Sequence, residues 1–204
     1  MDRMEANNSV RLCGVMAAGP VFSHSSRGLN FYLFPLTVER LSGNTDTINI
    51  LVREEQLAAL EPGEHGKLCV TGEIRSFNSR RGSGARLVIT VLAKELLFCE
   101  EDDANRVLLE GTLCKAPNQR TTPMGREICD LMLAVNRPYG RSDYRPCICW
   151  GARAREAALW EVGTRVRLEG RIQSRDYIKL TDEGPIQRTA FEISANDVQR
   201  VESE

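Results

Sequence analysis

The sequence has no long uninterrupted apolar run, and this excludes a membrane-spanning helix. The longest run, residues 87–93 (LVITVLA), falls far short of the roughly 20 apolar residues that such a helix needs. The first eight residues are polar and contain no apolar segment, so no secretory signal is expected there. We therefore expect a cytoplasmic protein with no membrane partner.

Histidine is scarce, and the cysteines lack the spacing of a metal site. The chain has 2 His and 7 Cys, and no two Cys form a CxxC pair. We expect reduced, mostly buried thiols, with neither a metal site nor a disulfide framework. P-loop, HExxH and GxSxG motifs are also absent. The sequence therefore predicts neither an enzyme nor a cofactor.

Lysine is rare as well, because only 4 of the 27 basic residues are Lys and the rest are Arg. Net charge is −1, which excludes a strongly basic coating protein but not local basic faces. The acidic run at residues 100–104 (EEDDA) sits at the midpoint of the chain and is typical of a solvated linker. We expect two domains, 1–99 and 105–204, on either side of it.

The two halves resemble each other in order along the chain. An offset of 97 pairs residues 8–14 (NSVRLCG) with 105–111 (NRVLLEG), and Arg40 with Arg137. At an offset of 98, residues 72–74 (GEI) pair with 170–172 (GRI). Several matches in order indicate duplication of one domain.

Each half is predicted to hold five short strands, with one helix between the third and fourth. The predicted strands are 10–15, 30–38, 47–52, 67–75 and 86–93, then 107–113, 128–135, 144–150, 165–172 and 189–194. The predicted helices are 54–60 and 152–160. This order is typical of an OB-fold barrel, so we predict an all-β protein with two tandem five-stranded OB-folds.

The third strand of the second half points to a binding face. Successive side chains of a strand face opposite sides, so Tyr144 and Trp150 share one face while Cys147 and Cys149 share the other. Small thiols suit a barrel interior, which favours outward aromatics over the reverse arrangement. Exposed aromatics on an OB-fold are stacking platforms for nucleobases.

Two predicted loops combine tyrosine with arginine. Tyr139 lies between Arg137 and Arg141, and Tyr177 follows Arg175. Such a composition is typical of a groove that binds single-stranded nucleic acid through stacking and phosphate contacts, although ordinary solvated loops would look the same.

The second half resembles the bacterial single-stranded DNA-binding protein family. The resemblance rests on residues 105–113 (NRVLLEGTL), 120–125 (RTTPMG), 131–135 (LMLAV), 149–151 (CWG) and 168–172 (LEGRI). It implies four DNA-stacking positions, which fall on Tyr139, Tyr144, Trp150 and Tyr177. The family's acidic tail with its apolar tip has no counterpart at the end of this sequence, so tail-mediated recruitment of proteins is not expected.

The first half departs from this pattern. The matching positions are Ser42, Thr47 and Arg53, none of which is aromatic. A basic hairpin with Arg80 and Arg81 suggests that this half supplies electrostatic contacts or a pairing surface. Its aromatic residues are expected to fill the core of the barrel: Phe22, Phe31, Tyr32 and Phe34.

These features together predict sequence-independent binding of single-stranded DNA in replication, repair or recombination. Two OB-folds per chain imply a homodimer with four, and the resemblance implies a nucleoid-associated bacterial protein. Two alternatives stay open: an OB module of primosome or assembly type that docks a protein partner, and an RNA-binding module.

Overall fold

The computed structural model describes residues 7–60, 66–79, 86–137, 140–181 and 184–202. The elements of the first half are, in chain order, β1 (Asn8–Met16), β2 (Val21–Ser26), β3 (Leu29–Glu39), β4 (Thr45–Arg53), α1 (Glu54–Ala58), β5 (Lys67–Ser79) and β6 (Arg86–Cys99). Those of the second half are β7 (Ala104–Leu113), β8 (Asn118–Thr121), β9 (Glu127–Arg137), β10 (Arg141–Trp150), α2 (Gly151–Ala157), β11 (Arg165–Thr181) and β12 (Gly184–Arg200). Among these elements, neither helix is long and apolar enough to cross a membrane.

The predicted strands and helices are all present, five strands and one helix in each half. Each half has one further short strand, β2 or β8, which pairs antiparallel with the strand that follows it. Both are fully exposed along their length. No alternation of apolar and polar residues marks them, because neither contributes to the barrel core.

The barrel cores form where alternate residues point inward. Along β7 the burial alternates so that Val107, Leu109 and Leu113 are buried. In β11 the same alternation buries Leu168 and Ile172. Burying side chains of this kind contributes roughly 1.5–3 kcal/mol each.

The first-half aromatics are predicted to fill the core, and this is wrong for Phe22 and Phe31. Phe34 is fully buried, whereas Phe31 and Tyr32 are half-buried and Phe22 is 58% exposed. The even-numbered residues of β3 face the interior, so Tyr32 packs against the core while Phe31 points outward with its partner Arg53. Phe22 lies on β2, which is exposed along its whole length.

The two halves are joined by strand pairing. β1 pairs antiparallel with β7, with Cα partners from Asn8 and Leu109 to Cys13 and Ala104. All twelve strands consequently belong to one sheet, in the order β2-β3-β4-β6-β5-β1-β7-β11-β12-β10-β9-β8.

The acidic run between the halves contacts the first half. Lys67 lies 2.7 Å from the carboxylate of Asp103, which also accepts the backbone N–H of Glu39. Glu101 pairs with Arg11. The boundaries 1–99, 100–104 and 105–204 stay a prediction.

Duplicated contacts relate the halves by an approximate twofold. Asn8 donates to the carbonyl of Ile74 at 2.8 Å and accepts its N–H at 2.9 Å. Asn105 makes the same pair with Ile172, at 2.7 and 2.9 Å. The asparagines that align in the sequence therefore do the same structural work in each half.

Two aligned glycines are required for the same steric reason. A Cβ on Gly72 would lie 2.2 Å from the carbonyl oxygen of Leu92, and one on Gly170 would lie 2.3 Å from that of Ser194. Each glycine sits at a register shift between paired strands. Only glycine fits this close approach of two backbones.

Candidate nucleic-acid interface

Strand β10 presents its aromatic residues outward, as its alternation predicts. Cys147 and Cys149 are buried on the inner face, whereas Tyr144 is 48% exposed and Trp150 is half-buried on the outer one. The predicted orientation of the strand is confirmed. The role of these residues in binding stays a prediction.

Trp150 is held at the end of β10 by two local features. It is the N-cap of α2, and Gly151, with φ of +58°, turns the chain into that helix. Its indole N–H donates to the hydroxyl of Ser194 at 3.2 Å. The parallel pairing of β10 with β12 brings Ser194 close, since Ser194 is the Cα partner of Ile148.

Trp150 borders a shallow groove that is rich in arginine. The groove is lined by Arg40, Arg126, Trp150, Arg171, Gln173, Ser194, Ala195 and Asn196. Arg40 comes from the first half, so both halves contribute cations to the surface beside Trp150. Because Asp46 pairs with Arg40, the positive charge of the groove comes from Arg126 and Arg171.

Arg171 has an unsatisfied donor in this groove. Its Nε is buried and has no hydrogen-bond partner among the described residues, while its Nη2 donates to the side chain of Gln173 at 3.3 Å. A buried N–H without a partner costs about 1–3 kcal/mol.

A row of side chains extends from Trp150 along the outer face of β11. Arg171, Gln173, Arg175 and Tyr177 are alternate residues of this strand and so share a face. We call them, with Trp150, the outer stripe. Arg175 is exposed and Tyr177 is 41% exposed. From Arg171 to Tyr177 the strand spans about 20 Å.

Strand β12 adds charges to the outer stripe. Arg188 is the Cα partner of Tyr177, and Glu192 is that of Gln173. Burial raises the pKa of Glu192 above its ordinary value, while the charge of Arg175 opposes the rise. One acid therefore lies among the arginines.

Tyr144 lies on the outer face of β10, in contact with the first half. It precedes Trp150 by six positions, which is about 20 Å along a strand. Its backbone N–H donates to the hydroxyl of Ser76 at 3.1 Å. Trp150, Arg175 and Tyr177 thus lie on the outer stripe, and Tyr144 lies on β10, about as far from Trp150 as Tyr177 is.

Arg137 is engaged in the contact between the halves. It pairs with the carboxylate of Asp143 and donates to the carbonyl of Ser76 at 3.3 Å. The same carboxylate accepts the N–H of Ser76 at 3.0 Å. Since this guanidinium already has a buried counterion, we leave Arg137 out of the proposed interface.

Asp143 also neutralises a buried arginine. Arg145 is 0% exposed and lies 3.0 Å from that carboxylate. Burial would raise the pKa of Asp143, but the hydrogen bond from Arg137 and the charge of Arg145 outweigh burial and hold it below its usual value. For Arg145 burial acts in the other direction, because it disfavours the positive charge, and it lowers the pKa of this guanidinium to about 10.

The first half has an equivalent Arg–Asp pair, which contacts a serine of the second half. Asp46 accepts a hydrogen bond from the Nε of Arg40 at 2.7 Å and the backbone N–H of Ser174 at 2.8 Å. Each half therefore contributes an Arg–Asp pair that binds a serine of the other half, which ties the two barrels at two related places.

Three of the predicted site residues lie outside the described part of the chain: Tyr139, Arg80 and Arg81. Arg141 is exposed at the first position of β10. The roles of all four stay predictions.

One group of residues could hold a metal ion. The sulfur atoms of Cys13, Cys69 and Cys99 all lie within 4.8 Å of one another. The sequence does not reveal this cluster, because strand pairing between β1, β5 and β6 creates it, with Cys13 directly opposite Cys69. Burial raises the pKa of Cys13 to about 12, which disfavours the thiolate that binds metals.

Comparison with known proteins places the second half in a sequence family. Residues 104–201 match the single-strand binding protein family. Single-stranded DNA-binding protein B of Bacillus subtilis is 38% identical over 80 residues, which is 36% of this chain and 71% of that protein. This chain belongs to the single-strand binding protein family. The single-stranded DNA-binding protein of Oceanobacillus iheyensis is 33% identical over 108 residues, covering 48% of this chain and 64% of the relative.

Both halves have the fold of a solved structure. The wild-type single-stranded DNA binding protein from Thermus aquaticus superposes with a TM-score of 0.76, covering 97% of this chain and 94% of that one, at 21% identity. The prediction of two tandem OB-folds is confirmed. The aligned segments span between about half and two thirds of the length of most of the curated relatives.

Proposed function

We propose that this protein binds single-stranded DNA without sequence preference, along the outer stripe of its second half. The observation that carries the proposal is the order of side chains on one face: an aromatic ring at Trp150, cations at Arg171 and Arg175, and a second ring at Tyr177. The names of the curated relatives support the same nucleic acid.

Stacking supplies the part of the affinity that does not depend on base identity. Every base has a π-face, and a base stacked on an aromatic side chain contributes roughly 1–3 kcal/mol. The indole N–H of Trp150 is already bonded to Ser194, so its orientation is fixed before DNA arrives. A fixed ring loses little conformational entropy on binding.

The arginines supply the backbone contacts. Arg126 is exposed, and with Arg171 it lines the groove beside Trp150. Phosphate oxygens there would accept hydrogen bonds from the exposed guanidinium of Arg126 and from the partly exposed side chain of Arg171. Contacts of this kind release counterions, so affinity falls as salt rises.

A second part of the path crosses toward the first half. Tyr144 is exposed beside Ser76, where the halves meet. We propose that Tyr144, Tyr139 and Arg141 contact the same DNA strand as the outer stripe. Arg80 and Arg81 of the first half would continue the contacts to phosphate. Two chains would assemble as a homodimer with four OB-folds.

Competition binding tests the proposal. A labelled single-stranded oligonucleotide of mixed sequence is titrated with the protein, and unlabelled competitors are added: oligo-dT, mixed single-stranded DNA, duplex DNA and RNA. We expect both single-stranded DNAs to compete equally and duplex DNA to compete poorly. Failure to bind single-stranded DNA, with retained folding, would refute it and favour a protein-docking module. Stronger competition by RNA would reassign the substrate.

A further inference from the structure

The first half carries a counterpart of the Trp150 site, although it lacks the matching aromatic. Arg53 and Trp150 occupy equivalent positions, since each is the last residue of its strand and the N-cap of the following helix. The sheet neighbour of Trp150 is Ile128, and that of Arg53 is Phe31. In the first half the aromatic ring is therefore on the neighbouring strand, at Phe31, and not at the position that corresponds to Trp150.

The next strand completes the comparison. In the second half, Arg120 of β8 is the Cα partner of Ile128. In the first half, His24 of β2 is the Cα partner of Phe31. Each half therefore has a three-strand row with an arginine at one end, Arg120 in the second half and Arg53 in the first. The order is Arg–Ile–Trp in the second half and His–Phe–Arg in the first.

The first-half row is formed and accessible. The rings of His24 and Phe31 stack with centroids 4.9 Å apart and an interplanar angle of 7°. His24 and Arg53 are exposed, and Phe31 is half-buried. Arg27, exposed in the turn between β2 and β3, adds a further cation. A stacked pair of rings with Arg53 beside it and Arg27 at the end of the same hairpin fits an anionic chain that carries flat rings.

The neighbouring acid does not compete for this surface. Glu54 accepts hydrogen bonds from Asn30 at 2.9 Å and from the hydroxyl of Tyr32 at 3.2 Å. Tyr32 lies on the opposite face of β3 from Phe31, because successive residues of a strand alternate.

We infer that His24, Phe31 and Arg53 form a second stacking site for an unpaired base of single-stranded DNA, with Arg53 and Arg27 contacting its phosphates. The inference rests on the proposed function. It extends the DNA path onto the first half, through side chains that alignment with the second half does not identify. The stacked pair would receive the base on the exposed face of His24, in continuation of the existing stack.

Single-tryptophan proteins test this site. The native chain has 2 Trp. The Trp160→Phe protein reports on Trp150 alone. The triple variant Phe31→Trp, Trp150→Phe, Trp160→Phe reports on position 31. A matched control replaces Phe22, which lies on the same hairpin but faces the other side with Tyr32. This control is Phe22→Trp in the same background.

Saturating oligo-dT is expected to quench the reporter at position 31 and not the one at position 22. Quenching at Trp150 without quenching at position 31 would overturn the inference while the proposed function stands. No quenching at either place would refute the proposed function itself. Equal quenching at 22 and 31 would also overturn the assignment to this face.

A second measurement does not depend on the reporter. His24→Ala changes an exposed residue, and Phe31→Leu keeps an apolar side chain without a ring. Each is expected to weaken binding of an oligonucleotide long enough to span both halves by about fivefold or more. Phe22→Ala should leave this affinity unchanged. Unchanged affinity in both test variants would contradict the site.

Discussion

Removal of the Tyr177 ring should lower DNA affinity with little effect on the stability of the fold. Tyr177 is 41% exposed on the outer stripe, near the end of the β11–β12 hairpin. Tyr177→Ala should change the free energy of unfolding by about 0.5 kcal/mol or less, because little buried area is lost. If one base stacks on this ring, binding weakens by roughly 1–3 kcal/mol, which is about 5- to 150-fold in Kd.

The neighbouring residue provides a matched control. Ile178 is 69% exposed and adjacent in the strand, so its side chain points to the other face. Fluorescence anisotropy with labelled oligo-dT at fixed salt compares Ile178→Ala with Tyr177→Ala. We expect native affinity in the first and the stated loss in the second. Equal affinities in the two variants would refute the outer stripe as the DNA path.

Three further predictions follow from the charges. Arg175→Ala should reduce the slope of log K against log salt by about 0.7, measured by titration at several salt concentrations; an unchanged slope argues against a phosphate contact. Because burial raises the pKa of Glu192, this carboxylate loses its negative charge at a higher pH than an ordinary carboxyl does. Lowering the pH should therefore tighten DNA binding and raise the free energy of unfolding. Glu192→Gln should weaken the pH dependence of both quantities. Asp143→Asn should lower the free energy of unfolding by about 3–5 kcal/mol in denaturant, because Arg145 then lacks its buried counterion; the exposed ion-pair variant Glu127→Gln should cost less than about 1 kcal/mol.

The sequence predicts the features that depend on local alternation. The inward thiols and outward aromatics of β10 follow from period two alone, and the aligned glycines anticipate a shared backbone constraint. Strand β2 is not predicted, because none of its side chains is buried and its sequence therefore shows no apolar alternation. The prediction of core positions therefore holds for Phe34 and Tyr32 but is wrong for Phe22, on β2 itself, and for Phe31, which faces outward.

Features created by contact between distant segments could not be predicted. Arg145 lies on the inward face of β10, where an arginine is not expected. Its burial is explained by the carboxylate of Asp143 and by the carbonyl of Ile74 in the first half, which accepts a hydrogen bond from it. The cations beside Trp150 come from three places in the chain, at Arg40, Arg126 and Arg171. Their convergence depends on sheet register and on the pairing of β1 with β7.

The central claim is that an unpaired base stacks on Trp150, and its fluorescence tests this most directly. In the Trp160→Phe protein, Trp150 is the sole indole, so its emission reports one position. We predict saturable quenching by oligo-dT, reversed by high salt, with a matched duplex giving little change. Binding of oligo-dT by an independent assay without any change in this emission would contradict the account.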